Sequence, residues 1–201
     1  MTDRNRSGFT LLELLVVIAI IVVLAGLLFP AVQSILERAK KVQAKNDLTQ
    51  IVTAVNAFYT EYGKYPVPSS VTADSSATYG PNGSNTENGD LMKELRGISN
   101  SLNTRQIVFI SPPDAKDPTN PRSGTITTTG GYYDPWGTEY AMAMDADYDN
   151  QITPNPYGNN SGAGVSPLRQ GAIAWCLGKD KKLGNNGDGN FSGSDDVISW
   201  Q

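Results

Sequence analysis

Hydrophobic and polar positions divide the first third of this chain into two stretches of different character. From Phe9 to Val32 apolar residues fill nearly every position, and Glu13 is the one ionisable side chain among them. A run that is apolar on all sides predicts a buried helix, and its length suits a bilayer core of about 30 Å at 1.5 Å per residue. From residue 33 the pattern keeps a helical period. Leu48, Val52, Val55, Tyr59 and Tyr62 recur at three- and four-residue steps and draw one apolar stripe. Gly63 and Pro66 close it, so one helix of about 80 Å is expected, membrane-spanning over 9–32 and amphipathic over 33–66. Pro30 lacks an amide hydrogen and is expected to kink or locally open that helix.

Beyond residue 66 the periodicity fades. Val67 to Gly89 is rich in Ser, Thr, Asn, Gly and Pro and reads as a loop. Leu91 to Gly97 reads as a short helix with Asp90 as its N-cap, and Gln106 to Ile110 has strand character. Asp114 to Thr129 is again polar and turn-rich. Glu139 to Met144 is strand-like, and AIAWCLG near residue 176 is a second apolar stretch.

Composition narrows the function classes. Net charge is −4 and the pI about 4.8, which disfavours a nucleic-acid partner. Cys176 is the one cysteine, so no internal disulfide forms, and its apolar setting suits a small core residue. The chain has no histidine, which removes Ser-His-Asp and Cys-His catalysis and His-ligated zinc. No P-loop or Rossmann signature occurs, so an assembly ATPase is not expected. Acids cluster at 145–149 and 180–196, which leaves a glycosidase-like pair formally open. Their turn-rich placement makes metal binding or solvation the simpler account, and no enzyme is expected.

Glu13 requires a partner, because a lone carboxylate in hydrocarbon costs roughly 2.5–3.5 kcal/mol on insertion scales. Arg4 and Arg6 precede the apolar run and place that end in the cytoplasm by the positive-inside rule. A second basic cluster, Arg38, Lys40, Lys41 and Lys45, falls on the outer side. It would meet anionic headgroups or acidic neighbours, or form a solvated helix face.

Gly8-Phe9-Thr10-Leu11-Leu12-Glu13, behind a short basic leader, resembles the class III signal of type IV pilins and type II secretion pseudopilins. The resemblance implies that a prepilin peptidase cuts between Gly8 and Phe9, removes 1–8 as a leader and methylates the new amine at Phe9. It also implies that Glu13 of one subunit pairs with the amine of its neighbour, and that Pro30 marks a stretch that melts in assembled filaments. Asp134-Pro135-Trp136-Gly137 followed by a strand resembles the start of the C-terminal sheet in the major pseudopilins. Pro135 and Gly137 suit a turn there, with Trp136 plugging the core.

Residues 173–200 resemble the ending of the same family, in which a strand, a Gly-x-Asp turn, a Gly-rich loop, an Asp pair and a Trp follow in order. In that family the loop binds calcium. The resemblance assigns Asp180, Asp195 and Asp196 as ligands, with the carbonyl of Leu177 as an addition. Calcium takes 6–8 oxygens at about 2.3–2.6 Å, and a Gly/Asn-rich loop can turn carbonyls inward while carboxylates close the sphere. Asp188 lies in an insertion, Asn186 to Asn190, relative to the shorter family loop and is an alternative ligand. Asp145, Asp147 and Asp149 have the spacing of the first EF-hand positions, but the twelfth is Pro156. An acidic hairpin tip is the simpler reading, and a secondary calcium site the other.

The resemblance thus implies an α+β fold, a long N-terminal membrane-spanning helix packed on a small C-terminal antiparallel sheet, with 67–201 as a periplasmic globular domain. It implies a structural subunit of the type II secretion pseudopilus, the major, filament-building kind, which forms a homopolymer with minor pseudopilins and the inner-membrane secretion platform and drives protein export across the outer membrane. The alternatives are a type IV pilin of a surface fibre, whose usual C-terminal disulfide this chain cannot form, and a membrane-anchored carbohydrate-active enzyme.

Overall fold

Residues 9–159 and 162–201 are described by a computed structural model, the side chains of 27–31 excepted. The leader 1–8, with Arg4, Arg6 and Gly8, and the side chain of Pro30 lie outside the described residues. Helix α1 spans Leu11–Tyr62 and is unbroken at position 30. It ends on Gly63 in the left-handed region, φ 67°, whose N–H donates to the Tyr59 carbonyl at 2.8 Å. That is the glycine termination its sequence predicts.

The chain forms two units, one up to Lys40 and one from Lys41 to Gln201. In the first, the apolar side chains of α1 from Leu11 to Leu24 are all exposed. The membrane span expected over 9–32 does not emerge: among the described residues no helix is long and apolar enough to cross a membrane. Described side chains of the apolar run end at Gly26, short of the about 20 residues a hydrocarbon core requires.

The second unit holds an antiparallel sheet of β1 (Thr78–Tyr79), β4 (Ala141–Met144), β5 (Ala172–Cys176) and β6 (Val197–Ile198), in that spatial order. Helix α2 (Gly89–Leu95) and a small hairpin of β2 (Gly124–Thr125) with β3 (Tyr132–Tyr133) lie between β1 and β4 in sequence. In register, Ala141 faces Trp175, Met144 faces Ala172, and Cys176 faces Val197.

Side chains alternate between two cores, as the pleat requires. Met142, Met144, Ala172, Ala174, Cys176 and Val197 join Ala44, Leu48, Ile51, Val55 and Phe58 of α1. Ala141, Ala143, Ile173, Trp175 and Ile198 join Ile152, Tyr157, Leu168 and Leu177 in a second cluster. Burial on both faces explains why β4 and β5 read as continuous apolar runs. The fold is therefore α+β, a long N-terminal helix with a small antiparallel sheet.

Several local expectations change. The buried stripe of α1 runs through Phe58, while Tyr59 is 39% exposed and stacks on Tyr65 with ring centroids 4.7 Å apart. Helix α2 begins at Gly89, so Asp90 sits in its first turn and pairs with Lys93 at 3.2 Å instead of capping it. Gln106 to Ile110 is not a strand, because the N–H groups of Phe109 and Ile110 donate to the Leu95 carbonyl at the end of α2. The 67–89 segment contributes β1 to the sheet edge as well as a 3-10 turn, Asp74–Ser76.

Candidate functional site

The start of α1 is closed by side chains. The Thr10 N–H and hydroxyl both donate to Glu13 Oε2 at 2.8 Å, and the Glu13 N–H donates to Thr10 Oγ1 at 3.2 Å. This reciprocal cap satisfies N–H groups that the first turn leaves open. Its signal, Thr-x-x-Glu before an apolar run, is legible in the sequence but is masked there by the demand that Glu13 find a partner elsewhere. Phe9 is 79% exposed beside it.

The C-terminal loop gathers Asp180, Asp195 and Asp196, each offering a carboxylate oxygen within 4.8 Å of the others. Asp180 follows β5 at a turn, and the Asp pair immediately precedes β6, so the β5–β6 pairing brings them together. The close approach of strand and loop needs a glycine: Gly178 has φ 62°, and a Cβ there would lie 2.6 Å from the Asp195 carbonyl oxygen. Backbone N–H groups orient the acids. Lys179 and Asp180 donate to Asp195 Oδ2 at 2.6 and 3.2 Å, Lys182 and Asn186 to the two oxygens of Asp180 at 2.9 and 3.2 Å, and Gly184 to Asp196 Oδ2 at 2.7 Å.

Asp196 is buried, and its Oδ1 has no hydrogen-bond partner. Burial pushes its carboxyl up to about 6, with Asp195 and Asp180 adding to the rise against the Gly184 N–H and the nearby Tyr157 hydroxyl. An orphaned, buried carboxylate oxygen beside two further carboxylates has the chemistry of a hard-cation ligand set, so the residues present fit calcium. Asp188 is not in the cluster: its Oδ1 accepts the N–H groups of Asn185 and Asn190 at 2.9 and 2.8 Å and shapes its own turn. Leu177 has its side chain in the second apolar cluster, which leaves its carbonyl for any ligand role.

A second group joins Asp145 and Asp147 with Asp74, which the sequence did not point to because it lies about seventy residues earlier. Asp149 is not part of it. Asp74 accepts the N–H groups of Ala146 and Thr153 at 2.8 and 2.9 Å, and Asp145 those of Asp149 and Asn150 at 3.1 and 2.8 Å. Each oxygen of these two acids accepts a backbone N–H, so both already organise their loop.

Two structural clamps flank the C-terminal loop. In the DPWG turn, Asp134 Oδ1 accepts the N–H groups of Trp136, Gly137 and Thr138 at 2.8, 2.7 and 2.9 Å. Trp136 is buried in the first core, as expected of a plug. Lys45 of α1 donates to the carbonyls of Ile198 and Ser199 at 2.8 and 3.2 Å and also to that of Gln201. Burial holds its ammonium below the usual lysine range. The basic cluster therefore divides: Lys45 holds the end of the chain, while Lys40 pairs with Glu37 at 3.0 Å.

A family model described as the prokaryotic N-terminal methylation motif matches residues 3–29. Type II secretion system core protein G of Pseudomonas aeruginosa is 39% identical over 66 residues, covering 33% of this chain and 46% of that protein. The type IV major pilin PilA of Myxococcus xanthus is 42% identical over 62 residues, 31% of this chain and 28% of the pilin. At lower identity, core protein G of Dickeya chrysanthemi is 27% identical over 189 residues, 94% of this chain and 99% of that protein. The chain thus matches less than half the length of the first of these relatives. No solved structure matches it significantly. In its N-terminal third the chain is thus similar to type II secretion core proteins G and to type IV pilins, and over nearly its whole length it is similar to one core protein G.

Proposed function

We propose that the chain is a structural subunit of a type II secretion pseudopilus, polymerising through α1. The observation that carries this is the row of large apolar side chains within the methylation motif, from Leu11 to Leu24, which are between 46% and 87% exposed. Such a surface requires lipid or other copies of the same helix. The sequence continues the apolar run through residues 27–31, so the free subunit is held in the bacterial inner membrane, N-terminus cytoplasmic and globular domain periplasmic. A prepilin peptidase trims it after Gly8 and methylates Phe9. It then joins a periplasmic filament with minor pseudopilins on the inner-membrane platform, a structural and not a catalytic role.

Glu13 gives the stagger. In the free subunit it caps its own helix, and in the filament its carboxylate faces the amine at Phe9 of the adjacent copy. Glu13→Ala in the host bacterium is expected to leave the subunit in the membrane fraction and to abolish its cross-linking into multimers. Unchanged multimers would refute the pairing. Long extracellular fibres with secretion intact after deletion would favour a type IV pilin instead.

The C-terminal loop is read as a calcium centre in which Asp180, Asp195 and Asp196, with the Leu177 carbonyl, hold the ion. Calcium neutralises the clustered carboxylates and closes the loop against β6, which couples its binding to folding. At one hundred times its dissociation constant, calcium stabilises the fold by about 2.7 kcal/mol. Identical melting in calcium and in chelator would remove the metal centre from the account.

A further inference from the structure

Two unpaired polar atoms meet beside the C-terminal loop. Neither the Tyr157 hydroxyl nor Asp196 Oδ1 makes a well-formed hydrogen bond, although the two lie close enough for the hydroxyl to stabilise the carboxylate's charge. Both are almost wholly buried, with 4% and 5% of their surface exposed. The ring of Tyr157 is fixed by Phe191, edge-on at 5.3 Å, and by Trp200 at 6.2 Å. Its main chain is fixed as well, since its N–H donates to Asn155 Oδ1 at 3.0 Å. The hydroxyl is therefore held facing the Asp196 carboxylate, close enough to favour its charged form yet without a well-formed hydrogen bond.

A buried hydroxyl without a partner costs free energy that phenylalanine at the same position would avoid. The packing of the ring accounts for an aromatic residue at 157 but not for its oxygen. Asp196 is held on its other side, with Oδ2 accepting from Gly184 at 2.7 Å. Each carboxylate oxygen has two lone pairs, so Oδ1 can accept one hydrogen bond and still face a cation.

We propose that Tyr157 is the positioning residue of the calcium centre: its hydroxyl donates to Asp196 Oδ1 in the calcium-loaded protein and aims that carboxylate at the ion. This rests on the reading of Asp180, Asp195 and Asp196 as a calcium centre. Tyr157 comes from the connection between β4 and β5, so calcium braces that connection as well as the C-terminal loop. The sequence gives no sign of this, because Tyr157 lies far from the acids in the chain and carries no ligand pattern.

The test is calcium titration by calorimetry, with melting in chelator, on the full chain in detergent micelles for wild type and Tyr157→Phe. The hydroxyl has no well-formed hydrogen bond to lose in the calcium-free protein, so Tyr157→Phe is expected to melt in chelator close to the wild-type temperature. Its calcium affinity is expected to fall about 10–100-fold, the usual effect of removing an outer-shell partner. Calcium should slow amide exchange at residues 155–158 in the wild type and not in the variant. Equal affinities in the two proteins would overturn the positioning role, and so would a variant already destabilised in chelator, which marks a purely structural hydroxyl. A wild-type chain that takes up no calcium would instead defeat the underlying metal reading, and that result is distinguishable because it appears without any substitution.

Discussion

Replacing Lys45 by methionine removes the cation that ties α1 to the last strand. Its ammonium donates to the carbonyls of Ile198 at 2.8 Å and Ser199 at 3.2 Å and to that of Gln201, which uses all three of its N–H donors. A hydrogen bond to a charged group contributes about 1.5–3 kcal/mol net. The site is half-buried, so carbonyls on its open side recover water when the cation leaves. The expected loss is therefore near that of one charged bond, about 2 kcal/mol. Methionine keeps most of the aliphatic stem, so packing against β6 is preserved. In a domain of this size each kcal/mol moves Tm by about 2–4 °C, which predicts a fall of about 4–8 °C. Calorimetric melting would measure it, with Lys41→Met, one turn earlier, as a control of equal charge change that is expected to stay within about 0.5 kcal/mol. Hydrogen exchange should quicken first at the β6 amides. A Lys45→Met protein melting like the wild type, or a control that falls equally, would refute the clamp.

Three further outcomes follow from the same geometry. Burial lifts the Asp134 carboxyl to about 6, against an unfolded value of about 3.9, despite the N–H groups of Thr138, Trp136 and Gly137. Its folded value is the higher one, so the stability that protonation gives is full below the unfolded value and is lost as pH rises through about 6. Melting of the chelated wild type should therefore gain a component of about 2–3 kcal/mol between pH 7 and about pH 4 that Asp134→Asn lacks, and equal pH slopes would refute it. Gly178→Ala places a Cβ 2.6 Å from the Asp195 carbonyl oxygen at φ 62°, whereas Gly189→Ala, at φ 70°, meets nothing within 4 Å. The first should lower both Tm and calcium affinity and the second only Tm, by about 1–3 kcal/mol of backbone strain, so matching calcium titrations would contradict the close approach. Thr10→Val removes the two hydroxyl bonds of the cap, keeps the residue-10 N–H bond to Glu13 and leaves the Glu13 charge, so multimer cross-linking should survive better than in Glu13→Ala. Equal loss would mean that Glu13 serves assembly by capping its helix.

Local patterns carried much of the fold. The apolar run, the helical stripe, the Gly63 stop and the strands at 141–144 and 172–176 are all written in nearest-neighbour periodicity. What was misplaced depends on tertiary partners. Tyr59 and Phe58 are adjacent and both aromatic, so the sequence does not say which one faces the sheet. Gln106 to Ile110 has strand composition, yet its N–H groups find the end of α2, a choice made by packing. Asp180, Asp195 and Asp196 were reached through the resemblance of residues 173–200 to the pseudopilin ending, and the β5–β6 pairing brings them together. Asp74, Lys45 and Tyr157 were not legible, because each acts on a segment far along the chain.

The account stands or falls on whether this helix becomes the N-terminus of a polymer subunit. Mass spectrometry of the chain purified from its host membrane tests that directly. The expected first residue is Phe9 carrying one methyl group on its amine; a mature chain that still begins at Met1, or that starts beyond the apolar run, would contradict it.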